Sequence, residues 1–112
     1  MKKPILLLAI ITVLTIQNHA QTVTDFDGNV YNTVTIGSQV WMKENLRVTH
    51  YRNGEEIPNV TENADWINLT SGAYCAYNND PDLISTFGLL YNWYTVTDSN
   101  NVAPEGWHIP TH

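Results

Sequence analysis

The sequence predicts a mixed α and β fold made of two β-hairpins, one main helix, a shorter helix and long loops. Three observations carry that expectation. From Val30 to Ile36 the residues alternate, with Val30, Asn32, Val34 and Ile36 on one face and Tyr31, Thr33 and Thr35 on the other, which is the period of a strand. Gly37-Ser38 follows as a two-residue connection with glycine first, the chemistry of a type II′ turn, and Gln39 to Met42 returns as the second strand. Further on, Leu83, Phe87, Leu90, Tyr91 and Tyr94 recur at the i, i+4, i+7, i+8 and i+11 spacing that gathers side chains on one helical face.

The remaining elements follow in chain order. Thr22 to Thr24 reads as extended, and Asp25-Phe-Asp-Gly-Asn29 as a turn into the first long strand. Lys43 to Leu46 is a polar bridge. Arg47 to Tyr51 reads as a strand closed by the hairpin signal Asn53-Gly54, with Pro58 confining the outgoing segment to an edge. Thr61 to Trp66 predicts a one- to two-turn helix capped by Thr61. Gly72 to Tyr77 predicts a short strand, and Asn78 to Asp82 a loop. Asp82 is the expected cap of the main helix. Gly88 and the β-branched Thr95-Val-Thr97 weaken that helix and leave a strand over Leu89 to Val96 as the alternative. Loops at Asp98–Asn101 and Pro104–Gly106 lead to an extended Trp107-His-Ile109. Thr111 is a good helix cap, so residues 21–112 are expected to be the front part of a longer domain.

The first twenty residues read as a secretory signal peptide. Lys2 and Lys3 supply the positive start, Ile5 to Ile16 the apolar run, and Gln17 to Ala20 a polar end with a small residue at the cut. The run is shorter than the roughly 20 residues that span a bilayer, and no second one follows, so export without membrane insertion is expected. Cleavage after Ala20 leaves three cations, Lys43, Arg47 and Arg52, against eleven acids and hence a formal charge of −8. That balance argues against nucleic acid or an anionic membrane surface as partner, because phosphate binding needs clustered cations. A chain of this size supports at most one modest core. Cys75 is the single cysteine, so no disulfide forms within the chain itself, and burial as an inert thiol is its expected role.

Catalytic spacing is lacking. No Ser/His/Asp order, phosphate loop or dinucleotide fingerprint occurs, His50, His108 and His112 are scattered, and Glu44, Glu55 and Glu56 read as surface charges. Asp25, Asp27 and Asn29 alternate as calcium ligands do, but an EF-hand loop needs glycine sixth and a carboxylate twelfth, and here the twelfth residue is Ile36. Asn78, Asn79, Asp80 and Asp82 make a better oxygen cluster, yet a solvated loop is the expectation, and no cofactor is implied. The aromatics are the stronger candidates. Four Trp together with Tyr51, Tyr74, Tyr77, Tyr91 and Tyr94 offer stacking faces for sugar rings, while Asn and Asp in nearby loops bond hydroxyls. Trp41, Trp107, Tyr91 and Tyr94 sit among apolar neighbours and are assigned to the core. Trp66 and Trp93, with Asn78, Asn79 and Asp80, are the candidate binding residues. Asn59-Val-Thr61 and Asn68-Leu-Thr70 match the glycosylation pattern and are read as loops.

Asp27-Gly-Asn-Val-Tyr31, Ile36-Gly-Ser-Gln-Val-Trp-Met42 with Glu44-Asn-Leu46, His50-Tyr-Arg-Asn-Gly54 with Ile57-Pro-Asn-Val60, Ala73-Tyr-Cys75 with Tyr77-Asn-Asn-Asp80, Gly88-Leu-Leu-Tyr-Asn-Trp-Tyr94 and Ala103-Pro-Glu-Gly-Trp-His-Ile-Pro-Thr111 follow one another in order. Together they resemble the Fibrobacter succinogenes major paralogous domain, a family of exported bacterial proteins whose domain continues past the Pro-Thr pair. More faintly, Leu90 to Tyr94 followed by Trp107 to Thr111 resembles formylglycine-generating enzymes, of the C-type-lectin-like class. These resemblances imply an α+β domain with a small twisted antiparallel sheet, one or two helices and long loops. Export, acidity, loop-rich composition and the lack of catalytic spacing point to a secreted or surface-held, non-catalytic binding module for polysaccharide or another envelope component. The alternatives are a structural part of the envelope and an enzyme akin to the formylglycine-generating class, whose cysteine chemistry lies in the C-terminal half.

Overall fold

The computed structural model describes residues 21–111; the predicted signal peptide, residues 1–20, lies outside the described residues. The described chain is α+β, with small antiparallel sheets and short helices. Strands β1 (Thr22–Thr24), β2 (Val30–Ile36) and β3 (Gln39–Met42) form a three-stranded antiparallel sheet in that order. Helix α1 (Asn63–Ile67) precedes β4 (Tyr74–Ala76). Then come α2 (Ile84–Phe87), β5 (Leu89–Tyr91), which pairs antiparallel with β4, and α3 (Trp93–Val96).

Turn chemistry fixes the first sheet. Ile36 pairs with Gln39 across Gly37-Ser38, and Gly37 is left-handed (φ 61°) while Ser38 is not, which is the type II′ pattern. The β1–β2 connection uses a three-residue loop. Gly28 N–H donates to Asp25 O at 3.1 Å, and Asp25 N–H donates to Asn29 O at 3.0 Å. Tyr51 to Glu55 repeats this geometry: Gly54 N–H bonds Tyr51 O at 2.9 Å and Tyr51 N–H bonds Glu55 O at 2.8 Å. In both turns glycine alone takes the left-handed position that the bulge requires (φ 84° and 91°).

The Arg47–Tyr51 segment is not a strand, contrary to the expectation from sequence. Its arm of the second turn carries a single bridge, His50 to Glu56. Side chains have taken the backbone donors that a ladder would use. Arg47 N–H donates to the Tyr31 hydroxyl at 3.0 Å, and Thr49 N–H to Asp27 Oδ2 at 2.6 Å.

The expected main helix is also broken into pieces. A 3₁₀ turn (Pro81–Leu83) is capped by Asp80, whose carboxylate accepts Asp82 N–H, so Asp82 is not the cap. After α2, Gly88 adopts φ 68° and ψ −156°, a conformation open to glycine alone. The cause is tertiary. Leu89 N–H bonds Leu46 O at 2.9 Å and Asn45 Nδ2 bonds Phe87 O at 3.0 Å, pulling the chain flat against residues 45–46. The alternative strand survives as β5 over its first three residues only, because Asn92 Oδ1 accepts Thr95 N–H and starts α3. Phe87, Leu90 and Tyr94 are consequently exposed rather than aligned on a buried face. At α1 the cap is Glu62, without a side-chain bond, in place of Thr61.

The core is formed by Val48, Tyr51, Ile57 and Val102, with Leu46, Tyr74, Tyr91 and Ile109 packed against it. On β2 the face that faces inward is that of Tyr31, which is fully buried, while Val30, Val34 and Ile36 are exposed. Trp41, opposite Val34 on the outer hairpin, is 38% exposed and so does not serve the core as expected; Trp107 is half-buried. Arg52 closes the other side. Its Nε donates to Ala103 O at 3.2 Å and its Nη2 to Pro104 O and Trp107 O at 2.9 and 2.7 Å.

Candidate functional site

The site grows from β4. Tyr74 N–H bonds Pro58 O at 2.9 Å and Val60 N–H bonds Tyr74 O at 3.0 Å, so the extended segment around Asn59 lies parallel to β4. Asn59 and Thr61, two residues apart in that segment, border a groove of about 280 Å³ with Tyr74. Thr49 and Arg47 flank it from one side and Asn79 from another; Ala76, Ile84 and Leu89 supply the apolar surface. This is the composition of a small-ligand site: an apolar floor with a few separate polar groups.

Asn79 lines the groove and Asn78 precedes it, both in a conformation that few residues tolerate. Both are left-handed, at φ 53° and 52°. Asparagine accepts that geometry more readily than other side chains. Asn79 Nδ2 also donates to Thr61 O at 3.1 Å, which ties it to the far edge of the groove. Among the described residues, the side chains of Asn59, Thr61 and Tyr74 have no hydrogen-bond partner. Burial raises the Tyr74 phenol above its usual pKa, with the Asp27 and Glu56 carboxylates adding to the effect, so it stays protonated as a donor.

Arg47 is the groove's cation. Its guanidinium lies over the Tyr31 ring, 4.9 Å from the centroid, and its Nε donates to Asn29 Oδ1 at 3.2 Å. A longer contact of 3.5 Å joins Nη2 to Val30 O. Among the described residues the one ion pair is that of His50 with Asp27, so Arg47 has no carboxylate against it.

A second concavity of about 190 Å³ lies among Asp25, Phe26, His50, Arg52 and Glu105. Asp25, His50 and Arg52 are already engaged there. Asp25 accepts Asn29 N–H, Asn29 Nδ2 and the Tyr31 hydroxyl at 3.0, 2.9 and 2.6 Å, and Arg52 is held by three carbonyls. Asp27 accepts from Thr49 and His50. The alternating Asp25, Asp27 and Asn29 thus spend their oxygens on the turn and its neighbours. Among the described residues, no three of His, Cys, Asp and Glu converge as metal ligands.

Of the five candidate binding residues, Asn79 alone lines the groove, and Tyr74, one of the aromatics read as offering a stacking face, lines it too. Asn78 is exposed beside it, and Asp80 turns its carboxylate to Asp82 N–H. Trp93 is 73% exposed on α3 and Trp66 half-buried on α1, and neither lines the groove. Arg47, Thr49, Asn59 and Thr61 were missed as site residues. The signal that finds Asn59 and Thr61 is their i, i+2 spacing in an extended segment, which puts both on one face. Cys75 lies opposite Leu90, partly buried, and burial pushes its thiol up.

A family model described as the Fibrobacter succinogenes major domain matches residues 34–112. No curated protein and no solved structure matches the chain.

Proposed function

The chain belongs to the Fibrobacter succinogenes major domain family, and from its groove we propose that it is an exported, non-catalytic module that binds polysaccharide. The carrying observation is the set of unspent hydrogen-bonding side chains, Asn59, Thr61 and Tyr74, arranged with Asn79 around an apolar floor. Sugar recognition needs that combination, because hydroxyls demand separate donors and acceptors while the ring's C–H face needs apolar contact. The exposed Trp93 adds a stacking surface outside the groove. Export is supported by Lys2, Lys3, the apolar run Ile5 to Ile16 and Ala20. The reading takes the fold as C-type-lectin-like, a view supported by its loop-rich α+β arrangement.

Titration of the exported protein with a panel of polysaccharides, followed by tryptophan fluorescence, tests the reading. Asn59→Ala and Asn79→Ala are each expected to weaken binding about tenfold, the effect of roughly 1.4 kcal/mol. No saturable binding to any glycan, or parent-like binding by both variants, overturns it. N-terminal sequencing of protein recovered outside the cytoplasm tests export, with Gln21 the expected first residue.

A further inference from the structure

We infer that the groove selects acidic sugars, the carboxylate of a uronic acid residue being received by Arg47 while Asn59, Thr61 and Asn79 bond its ring hydroxyls. The inference rests on the glycan reading and sharpens it to a substrate class.

Three features point to a carboxylate. Arg47 presents five N–H donors, of which Nε and one on Nη2 are used, so three remain without a partner among the described residues. The contact with the Tyr31 ring and the Nε bond to Asn29 hold the guanidinium, so little freedom is lost when a carboxylate docks against it. Finally, no carboxylate of the described residues pairs with Arg47, although the chain is rich in acids. A forked donor held in place and left without its natural partner is complementary to one carboxylate.

The same charges set an upper limit on the ligand. Asp27 and Glu56 lie close enough to act on Tyr74, and Asp27 already belongs to His50. A densely sulfated or phosphorylated chain would meet these carboxylates with one cation to offset them. A uronic acid carries one charge per ring and places hydroxyls where the neutral Asn and Thr side chains stand.

The experiment compares three probes on the full exported protein: oligogalacturonate, the same oligomer as its methyl ester, and a neutral cello-oligosaccharide of equal length. The free acid is expected to bind at least about tenfold more tightly than its ester or the neutral oligomer. Arg47→Gln is expected to erase that preference, leaving acid and ester with equal affinity, and Arg47→Lys to keep part of it. Equal affinity for acid and ester overturns the inference, while binding of the neutral probe keeps the glycan reading intact. Absence of binding by all three overturns the inference, while the polysaccharide panel decides the glycan reading. Because acid and ester are compared on the unaltered protein, the result does not depend on how well the variants fold.

Discussion

His50 Nδ1 stands 2.6 Å from Asp27 Oδ1, and this bond joins the β1–β2 turn to the arm of the second glycine turn. A carboxylate only accepts, so Nδ1 carries the proton. Asp27 also accepts Thr49 N–H at 2.6 Å and the Thr49 hydroxyl at 2.8 Å. The two turns meet directly as well, since a Cβ placed on Gly54 would lie 3.0 Å from Phe26 Cζ.

Acid should loosen this junction. Burial alone would raise the Asp27 carboxyl, but the bonds from Thr49 and His50 outweigh it and hold the group below its ordinary range. A carboxyl depressed in the folded state contributes its stability above the unfolded pKa of about 4 and loses it as pH falls through the folded value. Asp27→Asn is expected to cost about 1 kcal/mol at neutral pH, with the gap to the parent closing as pH falls below about 4. Urea midpoints across that range measure it.

Gly88→Ala should be among the most damaging single changes. The added Cβ would stand 2.6 Å from Leu46 O and 2.7 Å from Asn45 Cβ, at a φ of 68°. Backbone strain and overpacking act together, so a loss of about 3 kcal/mol is expected in denaturant unfolding. A loss below about 1 kcal/mol would show that the close approach of β5 to residues 45–46 is not maintained in solution.

Removing single hydroxyl groups should separate the buried Tyr31 from the half-buried Tyr91. Tyr31 donates to Asp25 and accepts Arg47 N–H, so Tyr31→Phe takes one of three donors from a buried carboxylate and strands a backbone donor, at about 2 kcal/mol. Tyr91 donates to Val48 O alone, at 2.8 Å, and Tyr91→Phe is expected to cost about 1 kcal/mol. Thermal melts of both variants give the ranking.

Arg52→Met should release the segment from Ala103 to Trp107. Three carbonyls lose their donor, for an expected loss of about 3 kcal/mol and a red shift of Trp107 emission. Unchanged emission would mean that the segment is held by packing alone.

The first sheet was legible because its information is local: alternation in Val30 to Ile36 and a glycine-first turn fix the register within a dozen residues. The segment from Leu83 to Tyr94 was not, because its fate depends on Asn45, whose amide reaches Phe87 from 42 positions away. Helical spacing cannot report a glycine forced flat by a distant loop. The Arg47–Tyr51 strand failed for a related reason, since Tyr31 and Asp27 took its amides. At the site, Asn79 could be read as a polar loop residue, but Asn59 and Tyr74 come together through a parallel bridge that no local pattern announces.

The reach of Arg52 bears on how the chain is made. Its carbonyl partners lie 51 to 55 positions downstream, and Tyr91 reaches back 43 positions to Val48. Topologies dominated by such distant pairings fold in milliseconds to seconds, far more slowly than local ones. During synthesis the first half must wait, its tyrosines unsheltered, until the Ala103–Trp107 stretch has left the ribosome.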